Sequence, residues 1–185
     1  MTVATQFAIR AATTADIPAL EALIEQSVRQ LQVNEYSPTQ IDASIGSAFG
    51  IDRQLLTDRT YFVATPIDDP GTLVACGGWS YRRTLYGSDQ HTERDSAQLD
   101  PAIDFAKIRA IFVHPAWARR GLGTLILAHC EAAASAAAFT RFEMGSTLTG
   151  VPLYTLKGYA ERNRVGVPLP NGEALEVVVM EKILR

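Results

Sequence analysis

Ile111-Phe112-Val113-His114-Pro115-Ala116-Trp117-Ala118-Arg119-Arg120-Gly121-Leu122-Gly123-Thr124 reads as a strand, a loop with two arginines and two glycines, and the start of a helix. The strand begins further back, at Ala106-Lys107-Ile108-Arg109-Ala110, and His114-Pro115 stops it. Leu122, Leu125, Ile126, His129, Ala133 and Ala136 follow at helical spacing in a segment rich in Ala, the best helix former. The first turn of a helix leaves backbone N–H groups unpaired, and the helix dipole adds partial positive charge there. Glycines let a ligand approach that backbone, so the junction is suited to an anion. Arg119 and Arg120 add charge-assisted donors, and a diphosphate would fit. The segment is not a Walker loop, because no Gly-Lys-Ser/Thr follows at the required spacing. Nor is it Gly-x-Gly-x-x-Gly, since Ile126 stands where the third glycine should be. Taken alone, the glycines could equally serve close packing and the arginines could be solvated.

Outward from this stretch, Phe7 to Ala12 reads as a strand, and Thr13, Thr14 and Asp16 open a helix over about 15–31. Its apolar stripe is Ile17, Leu20, Leu23, Ile24, Val28 and Leu31. Ser37-Pro38-Thr39-Gln40 is a capping box that starts a second helix, with Ile41, Ile45 and Phe49 as its buried face. Tyr61–Ala64 and Thr72–Tyr81 form a hairpin around Asp68-Asp69-Pro70-Gly71. Residues 84–103 make a long polar connection, of the kind that is often functional or mobile. Phe139–Met144 is a strand, Val151–Lys157 a short helix, and Leu175–Ile183 a final strand after the turn Leu169-Pro170-Asn171-Gly172. The hairpins exclude a purely parallel, doubly wound sheet. The expected fold class is therefore α+β, a mixed, mostly antiparallel sheet flanked by helices.

The chain has 185 residues, 17 Lys+Arg against 20 Asp+Glu, and 47% hydrophobic residues, which suits one globular domain over 1–185. A net charge of −3 gives no basic field for nucleic acid or an anionic membrane. Cys76 and Cys130 are too few for a disulfide framework, and with His91, His114 and His129 scattered, no metal site is expected. The segment Met1–Phe7 lacks the charged and apolar regions of a signal peptide, and no run is long enough to cross a bilayer, so a cytoplasmic protein is expected.

Val113-His114-Pro115, the Trp117 loop, Arg119-Arg120-Gly121-Leu122-Gly123-Thr124 and the Ala/Leu-rich helix resemble the coenzyme A-binding core of the GNAT superfamily of N-acetyltransferases. The resemblance implies a splayed sheet whose middle strands part to admit pantetheine, with a core over about 104–160. It implies that acetyl-CoA is the co-substrate, with Ile111, Phe112 and Val113 facing its pantetheine arm. Arg119, Arg120, Gly121, Leu122, Gly123 and Thr124 would hold its pyrophosphate. The family pattern begins with Gln or Arg three residues before the first glycine, where this chain has Ala118. A second match is Val151-Pro152-Leu153-Tyr154-Thr155-Leu156-Lys157-Gly158-Tyr159, in which Tyr154 corresponds to the family's proton donor to the departing thiolate. Phenol and thiol pKa values of about 10 and 8.5 make such a transfer only mildly uphill. Where the family often has Asn, seven residues before this tyrosine, the chain has Thr147.

The implied reaction is direct attack of a primary amine, on a small molecule or on a protein or peptide, within a ternary complex. The alternative is a non-catalytic acyl-CoA-binding regulatory module, which needs the glycine loop but not Tyr154. A nucleotide-binding use of the loop is weakened by the absent Walker Lys and Asp. Candidate bases for the amine are Glu143, Glu35, His91 and Glu93, whereas His114 and His129 read as structural. Tyr36, Trp79, Tyr81, Tyr86 and the 84–103 loop are candidate walls of an acceptor pocket. An uncovered edge among the last strands would invite pairing with a second copy into a homodimer.

Overall fold

Period-two alternation decides how the sheet is buried. In the computed structural model, which describes residues 6–90 and 94–184, Tyr61 and Val63 pack into one core while Phe62 and Ala64 pack into another. Among the described residues the strands are β1 (Phe7–Ala11), β2 (Tyr61–Pro66), β3 (Ala75–Ser80), β4 (Ala106–Val113), β5 (Arg141–Thr147), β6 (Ala160–Pro168) and β7 (Ala174–Ile183). They form one sheet in the order β1-β2-β3-β4-β5-β7-β6. Every neighbouring pair is antiparallel except β4 and β5. The mixed, mostly antiparallel α+β expectation therefore holds.

One face of the sheet is covered by α1 (Ile17–Leu31), α2 (Pro38–Ser44) and α3 (Arg53–Thr57). The other carries α4 (Leu122–Ala136), with α5 (Val151–Leu156) beside its start. Close contact between α4 and β3 requires Gly77, because a Cβ there would lie 2.3 Å from the Ile126 side chain. No described helix is long and apolar enough to cross a membrane.

The entry to α1 is fixed by a short 3-10 turn, Thr14–Asp16. Asp16 accepts hydrogen bonds from the Thr13 N–H and hydroxyl, and Arg10 grips its carboxylate with two nitrogens at 2.7 and 2.8 Å. The Arg10 hydrogen bonds, joined by those from Thr13, hold the Asp16 pKa down at about 2 against 3.8 ordinarily. A depressed carboxylate stabilises the fold above its unfolded pKa and loses that contribution as pH falls through the folded value. Asp16→Asn is therefore expected to cost about 1 kcal/mol at pH 7, after allowance for solvent screening. Urea unfolding should show that deficit shrinking between pH 3.8 and about 2.

Several boundaries differ from the sequence reading. The second helix ends at Ser44, because Ile45 is extended and Gly46 takes φ +83°. Ile45 and Phe49 therefore lie in the turn that follows rather than on a helical face, although Phe49 is still buried. The short helix α3, capped by the Asp52 side chain on Gln54 N–H, has too few residues for a readable period. β3 starts at Ala75 instead of Thr72, since Thr72 bonds back to Asp69 in the hairpin turn. β5 starts at Arg141, because Ala138 at φ +70° and the Phe139 N–H bonded to Ala134 O still belong to the end of α4.

The 84–103 connection is pinned where it is described. Arg83 N–H bonds to Ala97 O, Thr84 N–H to Asp95 O, and Leu99 N–H to Tyr81 O. Positions 91–93 lie outside the described residues, and so do Met1–Thr5, to which the leader reading applies. The outer strand β6 is an edge carrying Glu161, Arg162 and Arg164 in ion pairs, a charged edge of the kind that discourages strand addition.

Candidate active site

The site is opened by the sheet. β4 and β5 pair only at Ala106 with Phe142 and Lys107 with Glu143. Beyond that point β4 continues on β3 and β5 continues on β7, so the two strands part. From Ile108 to Val113 the β5-facing edge of β4 has no strand partner, which leaves main-chain N–H and C=O groups for a ligand. A bulge sharpens the divergence. Ala110 and Ile111 oppose the single residue Gly77, and Ala110 takes φ +53°. Left-handed backbone is disfavoured for a residue with a Cβ, so this strain marks where the strand is re-aimed.

Two adjoining cavities occupy the gap. The first is lined by Phe49, Gly50, Leu85, Tyr86, Arg109, Ala110 and Met144–Thr147. The second runs along Ile111–Val113 to Arg119, Gly121, Leu122, Gly123 and Thr124, then across to Thr149, Gly150 and Leu153. They share Gln32, Ile111, Phe112, Thr147 and Tyr154. The structure thus brings together most of the residues expected to bind a cofactor, with Tyr154 where the two spaces meet. Arg120 is the exception among them, since it lines neither cavity and stacks on Trp117 at 4.7 Å.

The loop before α4 is shaped for an anion. Arg119 at φ +65° and Gly121 at φ +80° turn the backbone twice within three residues, and Gly121 caps the helix without a side-chain bond. Neither Arg119 nor Arg120 has a carboxylate partner among the described residues, and both are exposed. Trp117 is itself held edge-on by Phe7 at 5.8 Å. At Gly123 a Cβ would lie 3.0 Å from Leu153, so this glycine lets α5 sit against the start of α4.

Tyr154 is placed by its neighbours. A Cβ on Gly150 would lie 2.7 Å from its ring, and Tyr159 packs edge-on with centroids 6.0 Å apart. Tyr159 is anchored by donating to Glu131 at 2.8 Å. The Tyr154 hydroxyl makes no hydrogen bond among the described residues, and burial, reinforced by nearby Cys130, raises its pKa well above the ordinary tyrosine value. It is therefore a neutral phenol, a donor rather than a base.

Other candidates fall away from the cleft. Glu143 lies at the joint of β4 and β5 in an ion pair with Lys107 and lines neither cavity. Glu35 is exposed outside both, while His91 and Glu93 lie outside the described residues. His114 accepts from Ala116 N–H, and His129 packs on Phe62 at 4.4 Å. Of the aromatic candidates only Tyr86 lines the cleft. Trp79 and Tyr81 pack together, with Trp79 also against Phe139, in the core on the α4 face. Tyr36 is spent on structure, donating to Glu176 O at 2.7 Å and accepting from Leu148 N–H at 3.0 Å. Tyr86 lies in the connection after β3, where no strand period applies, and tertiary packing sets it against Gly145 over the cleft.

Sequence reading missed the buried ion pair behind the first cavity. Arg109 on β4 meets Asp52 at 2.8 Å and donates to Thr84 O and Gly87 O at 2.9 and 2.8 Å. Arg94 reaches the other Asp52 oxygen at 2.7 Å. This cluster ties the stretch Leu85–Gly87 to the cavity it lines. A charged residue inside an apolar strand, Arg109 between Ile108 and Ala110, was the available signal.

Residues 97–182 match the acetyltransferase (GNAT) domain family. No curated protein matches the sequence significantly. Among solved structures, the chain is similar to a GCN5-related N-acetyltransferase from Rhodopseudomonas palustris, at 22% identity and TM-score 0.72, covering 100% of this chain and 99% of that one. It is also similar to the PaiA N-acetyltransferase from Thermoplasma acidophilum, solved in complex with coenzyme A, at 14% identity, TM-score 0.65, and 96% and 99% coverage. A third is the ribosomal-protein-S18-alanine N-acetyltransferase from Escherichia coli, at 16% identity, TM-score 0.59, and 97% and 94% coverage. The family match runs from the loop before β4 to β7, and the likeness in fold to these acetyltransferases extends over the rest of the chain.

Proposed function

We propose that this chain moves an acetyl group from acetyl-CoA to a primary amine by direct attack within a ternary complex. The observation that carries this reading is the parting of β4 and β5 over a cleft that joins the Arg119–Thr124 loop to Tyr154. The fit to the donor is chemical. Unpaired N–H groups at the start of α4, together with the Arg119 guanidinium, suit the pyrophosphate, and the bare edge of β4 suits the amides of a pantetheine arm. Acetyl-CoA supplies the activated acyl group.

Tyr154 then serves the leaving group. As nitrogen bonds to the acyl carbon and the C–S bond breaks, the phenol passes its proton to sulfur, and the proton lost by the amine leaves to water. Burial keeps the two acids matched, since it raises thiols as it raises this phenol: the Cys76 thiol, in the same sheet, is pushed up to about 12. The first cavity, under Tyr86, is the acceptor side.

Calorimetric titration with coenzyme A, followed by an amine panel with acetyl-CoA and detection of free thiol, tests the reading. Binding with turnover of at least one amine supports it, and absence of heat removes it. The double variant Arg119→Ala, Arg120→Ala should weaken coenzyme A binding by about tenfold to 100-fold, from the loss of charge-assisted contacts. Raising salt should shrink that difference. Its unfolding midpoint should barely move, because neither arginine has a carboxylate partner among the described residues.

A further inference from the structure

Among the described residues, three buried side-chain oxygens have no hydrogen-bond partner: Gln32 Oε1, Asp52 Oδ2 and Thr60 Oγ1. Asp52 is compensated by the charge of Arg109 at 2.8 Å, and Thr60 lines neither part of the cleft. Gln32 lines both parts, although it is only 7% exposed. A buried carbonyl oxygen without a donor is rare in folded proteins and asks for a cause.

The carboxamide is loosely held by its own chain. Its Nε2 reaches Thr147 Oγ1 only at 3.5 Å, the long limit of a hydrogen bond. The backbone beneath is firm, since Gln32 closes α1 with its N–H bonded to Val28 O. The last side-chain torsion of Gln is soft, so a small rotation presents the oxygen to a ligand at the junction with Phe112 and Tyr154. No carboxylate lines either cavity among the described residues; the charged linings are Arg109 and Arg119.

We infer that Gln32 Oε1 accepts an N–H of the acceptor amine and holds its nitrogen at the junction, so that the substrate class is a primary amine that reacts as the neutral base. This rests on the acetyltransferase reading above. A neutral oxygen suits the task, because a carboxylate in its place would favour the ammonium form, which has no lone pair to attack with.

The test uses the full chain with the amine of the panel that turns over fastest, and two variants. Gln32→Met should raise KM for the amine roughly threefold to tenfold and leave acetyl-CoA affinity within about twofold. Gln32→Glu should move the acid limb of kcat, which reports the bound amine, to higher pH, a readout that a packing role would not shift. Unfolding midpoints check both variants, and if Gln32→Met does not fold, the pH profile of Gln32→Glu decides. Unchanged KM and an unchanged profile overturn the assignment, leaving the oxygen to an ordered water. A fall in acetyl-CoA affinity with amine KM preserved also overturns it, giving Gln32 to the pantetheine arm. If the wild-type chain turns over no amine, the parent reading fails, and this inference falls with it.

Discussion

Tyr154→Phe is expected to lower kcat by roughly 10²- to 10⁴-fold, the range for loss of a positioned general acid, while coenzyme A affinity is kept. Stability should change by less than about 1 kcal/mol, because the hydroxyl makes no hydrogen bond among the described residues, faces the cleft, and its removal leaves the ring packing on Tyr159 intact. The pH dependence follows from the direction of the shift. Burial holds the phenol protonated beyond its ordinary value of 10.0. The wild-type rate should therefore rise as the amine loses its proton and then stay level through pH 10, with no basic limb from Tyr154. Steady-state kinetics on both proteins, with calorimetry for the cofactor, checks each part. Equal kcat values would reduce Tyr154 to a packing residue. Tight coenzyme A binding without turnover of any amine by the wild-type chain would favour the non-catalytic module.

The second large effect is on the buried ion pair. Asp52→Ala leaves the Arg109 guanidinium almost fully buried with no opposite charge, and burial already pushes its pKa down. Breaking one partner of such a pair costs about 3–5 kcal/mol, against roughly 1 for an exposed pair. For a chain of this size that corresponds to a fall in Tm of roughly 10 °C. The effect should reach the site as well. Without Asp52, Arg109 and Arg94 lose their common partner, and the segment Leu85–Gly87 loses the brace that sets it over the acceptor cavity. Amine KM should then rise more than the Kd for coenzyme A, whose loop is built from Arg119 to Thr124 on the other side of the junction. Differential scanning calorimetry and the same kinetic assay provide both readings. A variant as stable as wild type would show that water reaches Arg109 and that the cluster is ornamental.

Much of the fold was legible because local rules and tertiary packing agree. The Ala-rich segment from Leu122 is a helix by propensity and by burial alike, and Ser37-Pro38-Thr39-Gln40 forms the capping box its spelling predicts. Disagreement arose where tertiary contact overrides the local signal. Ala110 fits an ordinary strand by its local pattern, yet it takes a left-handed conformation so that β4 can bulge over Gly77. Phe139 has the local pattern of a strand but closes the end of α4. Glu143 has the chemistry of a base, and the cross-strand neighbour Lys107 claims it instead.

The sequence by itself determined most of the strands and helices, though not the short α3, together with the mixed sheet and the Arg119–Thr124 turn, because each depends on residues close together in the chain. Tertiary structure alone decided that β4 leaves β5 after Lys107, and that Gln32 and Tyr154, far apart in sequence, line the same cleft. It also decided that Tyr86 rather than Trp79 faces the cleft. The physical reason is that strand pairing and burial are long-range: which backbone groups go unpaired, and which polar atoms lose water, depends on what the rest of the chain packs against them.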